Sequence, residues 1–227
     1  MQNSGISFYK GFLVEYSEII DRNERLSEII FGVIMTLTFT GVISVATEGM
    51  QGIRSTLWAA LGCNIAWGII DGLFYLMNTL YSRGQGLEVF KKIRTARTSD
   101  EANQTILQNI TPIVARVINN EQVNHIREEL IDLPEPPKRA ILVVKDFYNA
   151  LLIFVLVFLS TFPMALPLLF INDPYIALRL SNVIGLLIIF IAGFIIGKKT
   201  GYNKMVMGLL FALLGAIVVL MTIALGG

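Results

Sequence analysis

Residues 57–80 read LWAALGCNIAWGIIDGLFYLMNTL, an apolar run with a carboxylate, Asp71, inside it. At 24 residues the run is long enough to cross a bilayer as a helix, which takes about 20. Asn64, Gly68, Asp71, Tyr75 and Asn78 recur through it at helical steps. On a helix they fall within an arc of roughly 80°, one polar stripe on an otherwise apolar rod. Asp71 lies within roughly 4 Å of the middle of the run. A charge at that depth costs roughly 2.5–3.5 kcal/mol, so the stripe should face protein or a wet cavity. The default expectation is a path for an ion, a proton or a polar substrate.

Composition agrees. Of 227 residues, 54% are hydrophobic and only 15% charged, where a soluble domain carries about 25%. Mean hydropathy is +0.65. The predicted fold is an all-α integral membrane protein. Its five spans run Leu26–Thr47, Leu57–Leu80, Leu142–Leu169, Ile176–Gly197 and Met205–Leu225. The chain divides into a segment 1–25, a span pair 26–80 holding the ion path, an insert 81–141, and a scaffold 142–227. The polar opening does not read as a signal peptide. A single cysteine, Cys63, excludes an internal disulfide. A formal net charge of +1 gives no reason to expect nucleic acid. No nucleotide-binding, nucleophile-elbow or zinc-protease motif occurs, so enzymatic activity is not expected and no cofactor is required.

Basic residues orient the spans. Lys10, Arg22 and Arg25 precede the first, ten Lys or Arg lie from Arg83 to Lys145, and Lys198, Lys199 and Lys204 separate the last two. The opposite loops hold only Arg54 and Arg179. A cytoplasmic N-terminus, a cytoplasmic insert and an external C-terminus follow, with a bacterial inner membrane as the expected location.

Glu28 stands at the cytoplasmic entrance of span one, with Gly32, Met35, Thr36 and Phe39 on its face. Carboxylate plus thioether suits a borderline ion such as Fe²⁺. The plainer reading of Glu28 is an acid favoured at a helix N-terminus, and of Met35, packing. Asp71 is the strongest candidate for a central site, able to exchange a proton for a cation; its plainer role is a hydrogen bond to a neighbouring helix. Asn64 and Asn78 offer amide oxygens or simply join helices. Glu48 closes span one near Met50 and Gln51 as an outer interfacial charge.

The insert reads as helices over Glu88–Arg97, Glu101–Asn119 and Glu121–Ile131, ended by Leu133-Pro134-Glu135-Pro136-Pro137. Ile106, Ile110, Ile113 and Val117 share a face, and Ser99-Asp100-Glu101 supplies the N-cap region. Glu121, His125 and Glu128 share another face and form a weak metal-ligand pattern. Pro163 and Pro167 should kink or break span three.

Several stretches resemble the vacuolar iron transporter family: Ser27-Glu28-Ile29-Ile30-Phe31-Gly32, Asp71-Gly72-Leu73, Phe162-Pro163-Met164-Ala165-Leu166-Pro167, and the Gly193/Gly197 to Gly208/Gly215 pattern. The resemblance covers roughly residue 25 onward. It implies a homodimer that moves Fe²⁺ or Mn²⁺ out of the cytoplasm by proton antiport, between the first two spans of both protomers. Ile34-Met35-Thr36 stands where the family has a further acid, and Tyr75 and Met77 flank its usual methionine position, so the resemblance is to a divergent branch. The rival expectations are a non-transporting interaction or regulatory module on the same scaffold, and a passive cation pathway.

Overall fold

Long apolar runs separated by polar stretches favour helices, which satisfy the backbone within one segment. The computed structural model describes residues 9, 22–42 and 45–226, and among them every regular element is a helix. They are α1 (Arg22–Val42), α2 (Val45–Thr95), α3 (Ser99–Gln108), α4 (Pro112–Val117), α5 (Asn120–Asp132), α6 (Val144–Ser160), α7 (Phe162–Phe170), α8 (Pro174–Thr200) and α9 (Lys204–Gly226). Among the described residues, four stretches are long and apolar enough to cross a membrane: Leu57–Thr95, Val144–Phe170, Pro174–Thr200 and Lys204–Met221. Leu26–Thr38 is a shorter apolar helix among the described residues. Lys10, and the side chains of Phe39, Glu48, Met50 and Gln51, lie outside the described residues.

The described chain divides into two units, residues 22–42, 45–73 and 149–226 in one, and residues 9 and 74–148 in the other. In the first, glycines let helices approach closely. A Cβ at Gly32 on α1 would fall on Ser160 Oγ and 2.8 Å from the Val157 carbonyl oxygen of α6. Gly68 and Gly72 on α2 meet the same helix, a Cβ there lying 3.0 Å from the Phe154 ring and 3.0 Å from the Ala150 carbonyl oxygen. Gly193 and Gly208 seat Phe211 and Phe190 where α8 packs on α9. Val33, Leu37, Met164 and Ile189 are fully buried together. Gly32→Ala should therefore cost about 1–3 kcal/mol by overpacking, read as a lowered melting temperature in detergent. Adding Ser160→Ala should restore only part of it, since the Val157 carbonyl cannot swing away.

The apolar stretch Val144–Phe170 breaks at Thr161, two residues before Pro163, and α7 carries Pro167 inside it. The buried Ser160 and Thr161 hydroxyls donate to the carbonyls of Val157 and Phe158 respectively. α8 ends on Gly201, whose φ of 79° is the left-handed value glycine adopts at no steric cost.

In the second unit the structure corrects the sequence reading in four places. The expected separate helix Glu88–Arg97 is the continuation of α2, which runs unbroken to Thr95. Gly84 and Gly86 cost roughly 1 kcal/mol each in a helix, too little to end it. The expected helix Glu101–Asn119 is two, because Pro112 lacks an N–H and disfavours helical backbone at Thr111. That leaves Ile106 buried but Ile113 and Val117 exposed, so the proposed common face does not form. The N-cap is Thr98, whose side chain accepts from the Glu101 N–H, one residue before the expected region.

α5 starts one residue earlier than expected, at Asn120, because Asn119 and Gln122 close a capping box. Ile93, Ala102, Ile106 and Val123 form a small core. Arg83 and Asp146 make a bidentate pair at 2.6 and 2.8 Å. Arg94 lies over the Phe90 ring and donates to the Leu133 carbonyl at 2.7 Å. Tyr9 packs edge-on to Phe90 and donates to the Pro134 carbonyl at 3.0 Å, and burial pushes its phenol above the usual range.

Candidate functional site: an acid pair between α1 and α2

α1 and α2 run antiparallel in a register fixed by three contacts. Asn64 Nδ2 donates to Thr36 Oγ1 at 3.1 Å. Phe31 and Trp67 meet edge to face at 5.6 Å between ring centroids. Glu28 and Asp71 meet through their carboxyl groups. Each step back along α1 is thus matched by a step forward along α2. Asp71 lies level with Glu28, about two turns into α1.

This differs from the sequence reading, which put Glu28 at an entrance and Asp71 half a membrane away. The reason is the start of α1. It begins at Arg22, before the expected Leu26, so Glu28 lies about two turns into the helix and level with the middle part of the run 57–80.

The two acids line a cavity of about 750 Å³. Leu26, Ser27, Ile30, Phe31 and Ile34 of α1 also line it, with Ile196, Lys199 and Thr200 of α8 and Phe211 of α9. The wall is mainly apolar, and its charged groups are two carboxyls and one ammonium. Asp71 Oδ2 is buried, and no N–H or O–H donor among the described residues reaches it. Its neighbour is another carboxyl. Two ionised carboxyls are both acceptors and repel; they attract only when a proton or a cation lies between them. The arrangement is therefore a place where a proton and a cation can compete for the same oxygens.

The other sequence candidates sit elsewhere. Met35 is half-buried and does not line the cavity. Asn64 is buried about two turns from Asp71 along α2. Gly68, within the stripe, serves packing against Phe154. Tyr75 and Asn78 fall in the second unit, where Asn78 is exposed.

Glu121, His125 and Glu128 are exposed on α5, with Arg127 3.5 Å from Glu128. Among the described residues, no three His, Cys, Asp or Glu side chains gather as a metal-holding group. Lys199, Ser27 and Thr200 were not picked out as site residues. Lys199 sits in the last turn of α8, where a cation is favoured by the helix dipole, and nothing local in the sequence aims it at the acids.

Compared with protein families and with curated proteins, the chain matches none.

Proposed function

We propose that this chain is a membrane transporter that exports a divalent cation, Fe²⁺ or Mn²⁺, from the cytoplasm in exchange for protons, working as a homodimer in a bacterial inner membrane. The observation that carries the proposal is the meeting of Glu28 and Asp71 in one cavity, with Asp71 Oδ2 reached by no donor. With no ion bound, a shared proton holds the carboxyls together. An arriving cation takes the proton's place, and protonation from the far side releases it. Ionised carboxylates suit Mn²⁺ or Fe²⁺ as oxygen ligands.

Lys199 gives the same cavity a tethered cation, so the acids need not face each other bare when the ion leaves. Two carboxyls make a thin set of ligands for a divalent ion. A two-fold copy would bring them to four, which is the support for a dimer with its path along α1 and α2. The five-span topology, with cytoplasmic N-terminus and insert and external C-terminus, rests on the distribution of Lys and Arg.

The test is uptake of Mn²⁺ and Fe²⁺ into liposomes holding the purified protein and a pH dye. Wild type should show metal flux with opposite proton flux, and Asp71→Asn should lower both about a hundredfold. Equal flux in the variant overturns the proposal.

One observation favours a second reading, an interaction module. Ile113 and Val117 on α4 are 78% and 81% exposed in the unit that carries the insert. Exposed apolar side chains in such a place suit a partner surface. On that reading Asp71→Asn lowers stability and there is no flux to lose.

A further inference from the structure

A buried polar cluster deeper along α1 and α2 is left unused by the acid pair. Asn64 is 1% exposed. Its Nδ2 donates to Thr36 Oγ1, and its Oδ1 is buried with no hydrogen-bond partner. Turning the amide over does not cure this. The Thr36 hydroxyl already gives its one proton to the Gly32 carbonyl at 2.9 Å. A flipped Oδ1 would need that proton, and Nδ2 would become the orphan.

In either orientation one polar atom stays unmatched, in a place where a lost partner matters. One turn along α1, Thr40 Oγ1 lies 2.8 Å from Asn182 Oδ1 of α8 and 3.1 Å from the carbonyls of both Thr36 and Leu37. Helical carbonyls already take an N–H of their own helix, and either end of the Asn182 amide can meet the hydroxyl, so the unmet atom of the cluster is the one on Asn64. Polar atoms from three helices thus collect here around one orphan.

We infer that this cluster binds water and relays to the acid pair the protons that replace the departing cation, carrying them from Thr40 and Asn182 past the Phe31–Trp67 rings. Water supplies what the cluster lacks, since each molecule brings two donors and can also accept. The cluster holds only neutral oxygens. A divalent cation would favour the carboxylates, so the two sites suit different cargo. Asn64 lies seven residues from Asp71, about 10 Å along the helix, so more than one water spans the gap. Phe31 lines the acid cavity and Trp67 meets it edge to face, which places an aromatic pair between the acids and the cluster. When the cation leaves outward, a proton arriving as hydronium from that side passes by exchange along water and the Thr hydroxyls and is shared again by the carboxyls; a proton displaced by the next cation leaves by the route that cation entered. No other bond changes.

The inference rests on the acid pair acting as a proton–cation site, so its test has one readout that does not depend on transport. In wild type, the Asn64 Nδ2 protons should show a magnetisation-transfer cross-peak to water in a spectrum of ¹⁵N-asparagine-labelled protein. Their absence overturns the water site. Asn64→Leu and Thr36→Val each remove polar atoms while keeping the volume close. Both should leave Mn²⁺ affinity at the acid pair within about twofold and lower metal-driven proton flux at least tenfold.

Wild-type proton flux in both variants overturns the relay. Loss of Mn²⁺ affinity in Asn64→Leu, in a protein that still elutes and melts as wild type, also overturns it and makes Asn64 an ion ligand. A wild-type protein with the water cross-peak but no flux overturns the transporter reading and the relay together, leaving the water as structure alone.

Discussion

Arg83→Met should destabilise the unit that carries Arg83 and Asp146 by about 3–5 kcal/mol, the usual cost of stripping one partner from a buried ion pair. The Asp146 carboxylate is 1% exposed, and Arg83 gives it two of its hydrogen bonds. The Val143 N–H gives a third at 2.7 Å. The same guanidinium donates to the Ile141 carbonyl at 2.8 Å, so one side chain of α2 ties down both the non-helical return before α6 and the first turn of α6. Methionine fills the space but leaves a buried charge with one donor.

The amide hydrogens of residues 143–146 should then exchange roughly 10²–10⁴ times faster than in wild type. The double variant Arg83→Met/Asp146→Leu should regain most of the loss, because no charge is left buried. If the single variant exchanges as wild type does, the pair is not what holds this segment.

How far the sequence reveals this molecule depends on which forces are local. Apolar runs past residue 140 are long, and polar residues or glycine bound them, so α8 and α9 fall within a few residues of their expected spans. The break before α7 was also legible, because Pro163 and Pro167 lack the N–H that a continuous helix needs. Pro112 carries the same information, and its missing N–H outweighs the apolar face that runs across it. The end of α2 was misplaced for a different reason. Polar residues after Leu80 mark a change of surroundings, but only a breaker ends a helix, and none is met before Thr95. Least legible was the register of α1 against α2. It depends on contacts such as Gly32 with Val157 and Gly68 with Phe154, which pair residues over a hundred positions and over eighty positions apart. Without that register, Glu28 and Asp71 read as two stations on a path. With it they are one.

The kinetics of double replacement separate those two pictures. Glu28→Gln and Asp71→Asn should each lower proton-coupled metal flux by about a hundredfold, equivalent to about 3 kcal/mol, which is the scale of one hydrogen bond to a charged group. The double variant should be no worse than either single, within about threefold. Two stations acting in succession would lose flux at each, and the losses would multiply toward 10⁴-fold. A single proton-sharing pair is already broken when one carboxyl is gone, since the remaining carboxyl has an amide for a partner and no proton to exchange. Groups that act as one device are non-additive for this reason. Amide replacements keep the shape and can donate to the remaining carboxylate, so both singles should melt within a few degrees of wild type. Flux compared among variants of equal stability then reports the chemistry of the pair. Multiplicative loss would return Glu28 to an entrance role, and the contact between the two carboxyls would be packing at the helix crossing.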